Sequence, residues 1–171
     1  MTITAILSLI AVTAIFSIYT LWSVKVFGSI SSISEGYYKL TEKYGDNKGI
    51  YFTAWCAMMA LFCAVPLHEV TQGCWYNNLT LPTCAGLLIV GVVPQYKHYG
   101  YKEWHFGGAL VSMVSAILIT AFGGFALETL AILITCTLAN FITKEKDPLL
   151  WVEYTAILSL LIFMWTKVWS I

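Results

Sequence analysis

Hydrophobic residues in this chain fall in long unbroken runs. They follow neither the three-and-four spacing of a soluble amphipathic helix nor the alternation of a half-buried strand. Charged side chains are absent from Met1 to Val24, from Gly49 to Leu67, from Val70 to Tyr96, from Trp104 to Leu127, from Thr129 to Thr143 and from Tyr154 to Thr166. A helix needs about 20 apolar residues, with a usual range of about 17–25, to cross a hydrocarbon core. Lipid offers backbone polar groups no partner, so such runs predict helices. The pattern predicts six: Thr2–Phe27, Ile50–Val65, Leu81–Val93, Glu103–Phe122, Ala126–Thr143 and Leu149–Ser170. Punctuation residues set the breaks. A polar loop, GSISSISEGYYKLTEKYGDNKG, follows the first helix; Pro66 ends the second and Pro94 the third. Gly123–Gly124 is a turn between the fourth and fifth, and KEKDP precedes the sixth. The third helix is short and calls for tilt or local thinning of the bilayer. The predicted fold is an all-α, polytopic integral membrane protein, a six-transmembrane-helix bundle forming one domain over residues 1–171.

Composition supports this picture. The chain is 59% hydrophobic and 11% charged, against roughly 25% charged in soluble domains. No polar stretch is long enough to bury a core of its own, which excludes a separate soluble enzymatic domain. Nine acidic side chains balance nine basic ones, and every basic one is Lys. Without Arg there is no fork for bidentate phosphate clamping. No polybasic tail is present, so nucleic acid is not an expected partner. The start MTITAILSLI lacks a basic segment, which predicts a first transmembrane helix that stays in place. The five cysteines form no CxxC pair and are expected to be free and buried. Neither a metal nor a cofactor is expected. Trp75, Tyr76, Tyr96, Trp104, Trp151 and Trp169 fall at predicted membrane edges, where amphipathic rings settle. Gly107, Gly108, Ser112 and Ser115 would let helices approach closely.

Six helices place the first, third and fifth loops on one side. That side holds Lys39, Lys43, Lys48, Lys97, Lys102, Lys144 and Lys146, and the positive-inside rule makes it cytoplasmic. A bacterial inner membrane is the favoured location. The same side collects the chemistry: Ser32, Ser34, Glu35, His98, Glu103, His105, Asp147 and Glu153. The other side holds His68, Glu69 and Glu128. The candidate ligand or head-group residues are Ser34, Glu35, His98, Glu103, His105 and Glu153. Three readings compete. In the first, Glu103 sits at the positive end of a helix and His105 anchors a loop. In the second, the cluster is a mouth that binds lipid head groups or another ligand. In the third, His98, His105, Glu103 and Glu35 or Glu153 hold a metal that activates water. No HExxH or HxxxH spacing is present, and Glu103 and His105, two apart on a helix, point opposite ways. Glu153 interrupts the apolar segment LLWVEYTA and should face the bundle toward a partner. His105, if it faces inward, is expected near Ser34 or Glu35 and near Glu153.

The order of short motifs resembles the FRAG/DRAM/SFK group of six-helix membrane proteins and their small bacterial relatives. There an "IS-acid" loop follows the first helix, "G-x-x-P" ends the third and "H-x-x-G-A" opens the fourth. The matching positions here are Ile33, Ser34, Glu35, Gly91, Pro94, His105, Gly108 and Ala109. The resemblance implies a role in lipid processing, including remodelling of lipid anchors, or in membrane stress responses. It also implies that the first loop faces outward or into a lumen, opposite to the lysine distribution. The expected function is thus lipid association, by head-group binding or lipid remodelling, through the mouth at the first, third and fifth loops. The alternatives are a small-molecule transporter or channel and a metal-assisted intramembrane hydrolase. Transport ranks lower because the helices carry Ser, Thr, Cys and Asn140 at depth but no carboxylate relay. Membrane lipids are the expected partners, together with a second copy of the chain or another membrane protein.

Overall fold

The computed structural model describes residues 1–28, 31–143 and 149–170. Helix α1 spans Ile3–Phe27; the Thr2 hydroxyl caps it by accepting the Ala5 N–H at 3.2 Å, and Gly28, at φ 71°, ends it. Helix α2 is Glu35–Tyr44, α3 is Ile50–Thr71, α4 is Thr80–Val92 and α5 is Lys102–Thr120. After a tight turn at Ala121–Phe125 come α6, Ala126–Thr143, and α7, Leu149–Trp169. Short 3-10 turns precede α3 and α4. The described residues include no strand.

Four stretches are long and apolar enough to cross a membrane: Ile3–Phe27, Asn47–Thr71, Lys102–Ala139 and Leu149–Trp169. The third, of 38 residues, is not one straight helix. The Thr129 hydroxyl donates to the Thr120 hydroxyl at 3.1 Å. Nine residues of straight helix rise about 13.5 Å, far beyond that reach. The axis therefore turns back at Gly123–Gly124, where Gly124 takes φ 83°, a left-handed conformation open to glycine. A similar contact, 3.5 Å between the Thr71 and Thr80 hydroxyls, joins α3 to α4 across their connection.

Two expectations need correction. Pro66 does not end a helix; α3 continues through it to Thr71, and Pro66 is buried. Proline removes one backbone hydrogen bond and bends the axis, but helices among packed neighbours tolerate it. His68 and Glu69 therefore lie on the helix. The Glu69 carboxylate accepts the Thr2 N–H at 2.7 Å and also the Thr2 hydroxyl, tying the end of α3 to the start of α1. The second correction concerns the polar loop after α1, which contains α2. Ser32 Oγ accepts the Glu35 N–H at 3.1 Å, and the Glu35 carboxylate reaches back to the Ser31 N–H at 2.6 Å and the Ser31 hydroxyl at 2.8 Å. This reciprocal arrangement nucleates the first turn. Gly36 then leaves room for the Tyr19 hydroxyl of α1, which a Cβ there would meet.

The core is a wedge of Leu9, Val12 and Phe16 from α1, Phe52 and Met59 from α3, Ile119 from α5 and Phe163 from α7. Helices α4 and α5 pack backbone to backbone: a Cβ on Gly86 would lie 2.4 Å from the Gly108 carbonyl oxygen. All five cysteines are free, and four are buried; Cys74 is exposed. The outer surface is apolar, with Leu7, Ile18 and Leu21 on α1 and Leu127, Leu138 and Phe141 on α6 all exposed. Helix ends sort to two sides. Thr2, Glu69, Lys167 and Ser170 surround one cleft. The opposite side gathers the loop before α2, the end of α4 and the starts of α5 and α7.

Candidate functional site

His105 lies in the first turn of α5 and is only 2% exposed. Its Nδ1 is 2.7 Å from the carbonyl oxygen of Val93, the residue just past α4. A carbonyl beyond a helix end has no partner within the helix and is free to accept. Because a carbonyl only accepts, Nδ1 carries the proton. In the neutral ring Nε2 is then an acceptor. Ser34 Oγ lies 3.0 Å from Nε2 and supplies the hydroxyl proton.

Ser34 precedes α2 and is 5% exposed. Its position is fixed from the neighbouring residue: the Ile33 N–H donates to the Glu153 carboxylate at 2.6 Å. Glu153 comes from α7, so the loop before α2 is held at one residue by α7 and at the next by α5. Two tyrosines of α2 fix the α4–α5 loop in turn. Tyr37 accepts from the Gln95 amide at 3.0 Å, and Tyr38 accepts the Lys97 N–H at 2.8 Å while the Lys97 ammonium rests 4.5 Å from its ring centroid.

The other candidates do not join this cluster. The Glu35 carboxylate is turned onto Ser31 as a helix cap. Partial burial pushes its pKa up, but the Ser31 N–H and hydroxyl, followed by the charges of Lys39 and Lys97, outweigh burial and hold it below the usual carboxylate range. His98 is exposed in the α4–α5 loop. Glu103 is exposed at the start of α5 and points into an outer groove between α4 and α5, away from His105. Lys144, Lys146 and Asp147, assigned to the same side, lie outside the described residues, as does the side chain of Asn140. Among the described residues no three His, Cys, Asp or Glu side chains converge as a metal site would need.

Ser34, His105 and Glu153 line a cavity of about 380 Å³. Ser31, Ser32 and Tyr96 add polar groups to its lining, and Phe106, Leu110, Met113 and Leu149 add apolar ones. Leu110 is 59% exposed, so the lining reaches the outer surface of the bundle at that residue. A second cavity of about 90 Å³ lies deeper among Phe52, Met59 and Leu87 and shares Ser34, Ala109, Met113 and Glu153 with the first. Sequence reasoning missed Tyr96 as a wall residue and the Val93 carbonyl as the partner of His105. Tyr96 stood out only as a belt aromatic, and a backbone oxygen leaves no mark in a sequence.

No family model matches the chain, and no curated protein or solved structure is detectably similar to it.

Proposed function

We propose that this chain is a six-pass membrane protein that holds a lipid in the cavity behind Ser34 and His105. The observation that carries the reading is the mixed lining of that cavity: hydroxyls, an imidazole and a carboxylate beside apolar side chains, one of which, Leu110, is exposed on the outer surface. A ligand for such a space has a polar head and an apolar tail. Its volume falls in the range of about 300–1,000 Å³ usual for small-molecule sites. The resemblance of the Ile33–Glu35, Gly91–Pro94 and His105–Ala109 segments to a lipid-processing group points the same way.

Six crossings require α4 to count as one. With 13 residues it is about 20 Å long, short of the roughly 30 Å hydrocarbon core. The Trp75–Leu79 turn that leads directly into it extends the reach, and the turn at Gly123–Gly124 divides the longest apolar stretch into two.

The test fills the cavity. Ala109 touches both spaces, so Ala109→Trp should lower co-purifying phospholipid, measured by native mass spectrometry, by tenfold or more. Leu127→Trp on the outer surface of α6 should leave it unchanged. Full lipid retention by a folded Ala109→Trp protein would overturn the reading.

A further inference from the structure

We infer that Ser34 and His105 form a nucleophile–base pair that cleaves the ester of a long-chain acyl lipid through an acyl-Ser34 intermediate. The inference rests on the lipid reading above and adds a reaction to it.

Four features of the geometry support it. The 3.0 Å separation of Ser34 Oγ and His105 Nε2 is within the range of about 2.6–3.2 Å over which a base can take a hydroxyl proton. The Val93 carbonyl on Nδ1 fixes the tautomer, leaving the Nε2 lone pair facing the hydroxyl, the role a third group plays in nucleophile–base–orienter arrangements. Ser34 and His105 are almost shut off from the outside yet both border the 380 Å³ cavity. A serine that only ties a loop to a helix needs no empty space beside it. Phe106, next to His105, with Leu110 and Met113 one and two turns further along the same helix, offers the acyl chain an apolar track leading away from the hydroxyl.

The chemistry balances without a metal or redox partner. Ser34 Oγ attacks the ester carbonyl carbon as its proton passes to His105 Nε2. The tetrahedral adduct collapses, the ester C–O bond breaks, and the alcohol portion leaves with the proton from Nε2. Water then attacks acyl-Ser34, giving a proton to Nε2. The Oγ–acyl bond breaks, that proton returns to Oγ, and the fatty acid is released. Glu153 acts as a positioning residue, since its carboxylate holds the Ile33 N–H and thereby the backbone that presents Ser34.

The experiment uses the full chain in detergent micelles with two probes, hexadecyl fluorophosphonate and 4-nitrophenyl decanoate. The wild type should take one phosphonate adduct, located on Ser34 by peptide mass spectrometry, and should release 4-nitrophenolate. Ser34→Ala, folded by circular dichroism, should lose both signals, whereas Leu127→Trp on the outer surface of α6 should keep both. His105→Gln should slow both by about 10²-fold or more, the lower end of what a general base contributes. Should His105→Gln not fold, the Ser34→Ala comparison decides alone. Wild-type protein that retains lipid but takes no adduct, or takes it elsewhere, overturns the acyl-transfer inference and leaves lipid binding standing. Protein that neither retains lipid nor reacts overturns both.

Discussion

Glu35 and Glu153 carry the same carboxylate to opposite ends. Glu35 spends its charge on its own helix terminus, and its lowered pKa sets a sign for pH dependence. A carboxyl whose folded pKa is below its unfolded value of about 4.3 adds stability above that value and loses it as pH falls through the folded pKa. Wild type should therefore lose stability progressively below about pH 4.3, and Glu35→Gln should show a smaller loss there; thermal midpoints across a pH series in detergent check this. Glu153 spends its charge on a distant backbone N–H. Glu153→Leu should lower apparent stability by about 1.5–3 kcal/mol, the worth of a hydrogen bond to a charged group. A midpoint equal to wild type would show that the loop is held by other contacts. At this scale the sequence was legible where a polar side chain stood against oil: His105 and Glu153 drew notice for that reason. It was illegible for His98 and Glu103, which share the composition of a site but point outward. The exposure of Glu103 is decided by which face of α5 meets the bundle, and that of His98 by the path of the loop before it; long apolar runs carry no periodicity to show either.

Glycine acts at the level of the element through position. Gly86 and Gly108 let α4 and α5 touch along their backbones, and the Ser112 hydroxyl then reaches the Thr83 carbonyl at 2.8 Å. Gly107, one residue away, faces open space. Gly86→Val should destabilise the protein by about 1–3 kcal/mol through overpacking, while Gly107→Ala should stabilise it by about 0.5–1 kcal/mol through helix propensity. Opposite shifts in unfolding midpoint are expected; equal ones would deny the close contact. The start of α2 was legible in the Ser32-to-Glu35 spacing but was overlooked because its surroundings are polar. The continuation of α3 past Pro66 was not legible, since a proline reads as a stop unless the packing around it is known.

At the scale of the molecule, apolar runs separated by Gly and Pro were enough to indicate an all-helical chain with membrane-length segments. Their number of crossings is a matter for labelling. In a Cys74→Ser background, Asn47→Cys and Asn78→Cys should react from opposite sides with a membrane-impermeant maleimide on intact cells. Reaction of both from the same side would remove the six-pass arrangement. The same measurement decides which side the loop carrying Ser34 faces.

The bond from Ile33 to Glu153 joins residues 120 positions apart. A ribosome adding about 5–20 residues per second makes the second partner on the order of 10 s after the first. Throughout that interval the loop carrying Ser34 has emerged without the carboxylate that fixes it. The wall around Ser34 is therefore completed only once α7 has begun to emerge, and a nascent chain released before α7 would carry most of its apolar mass with the Ile33 N–H unheld.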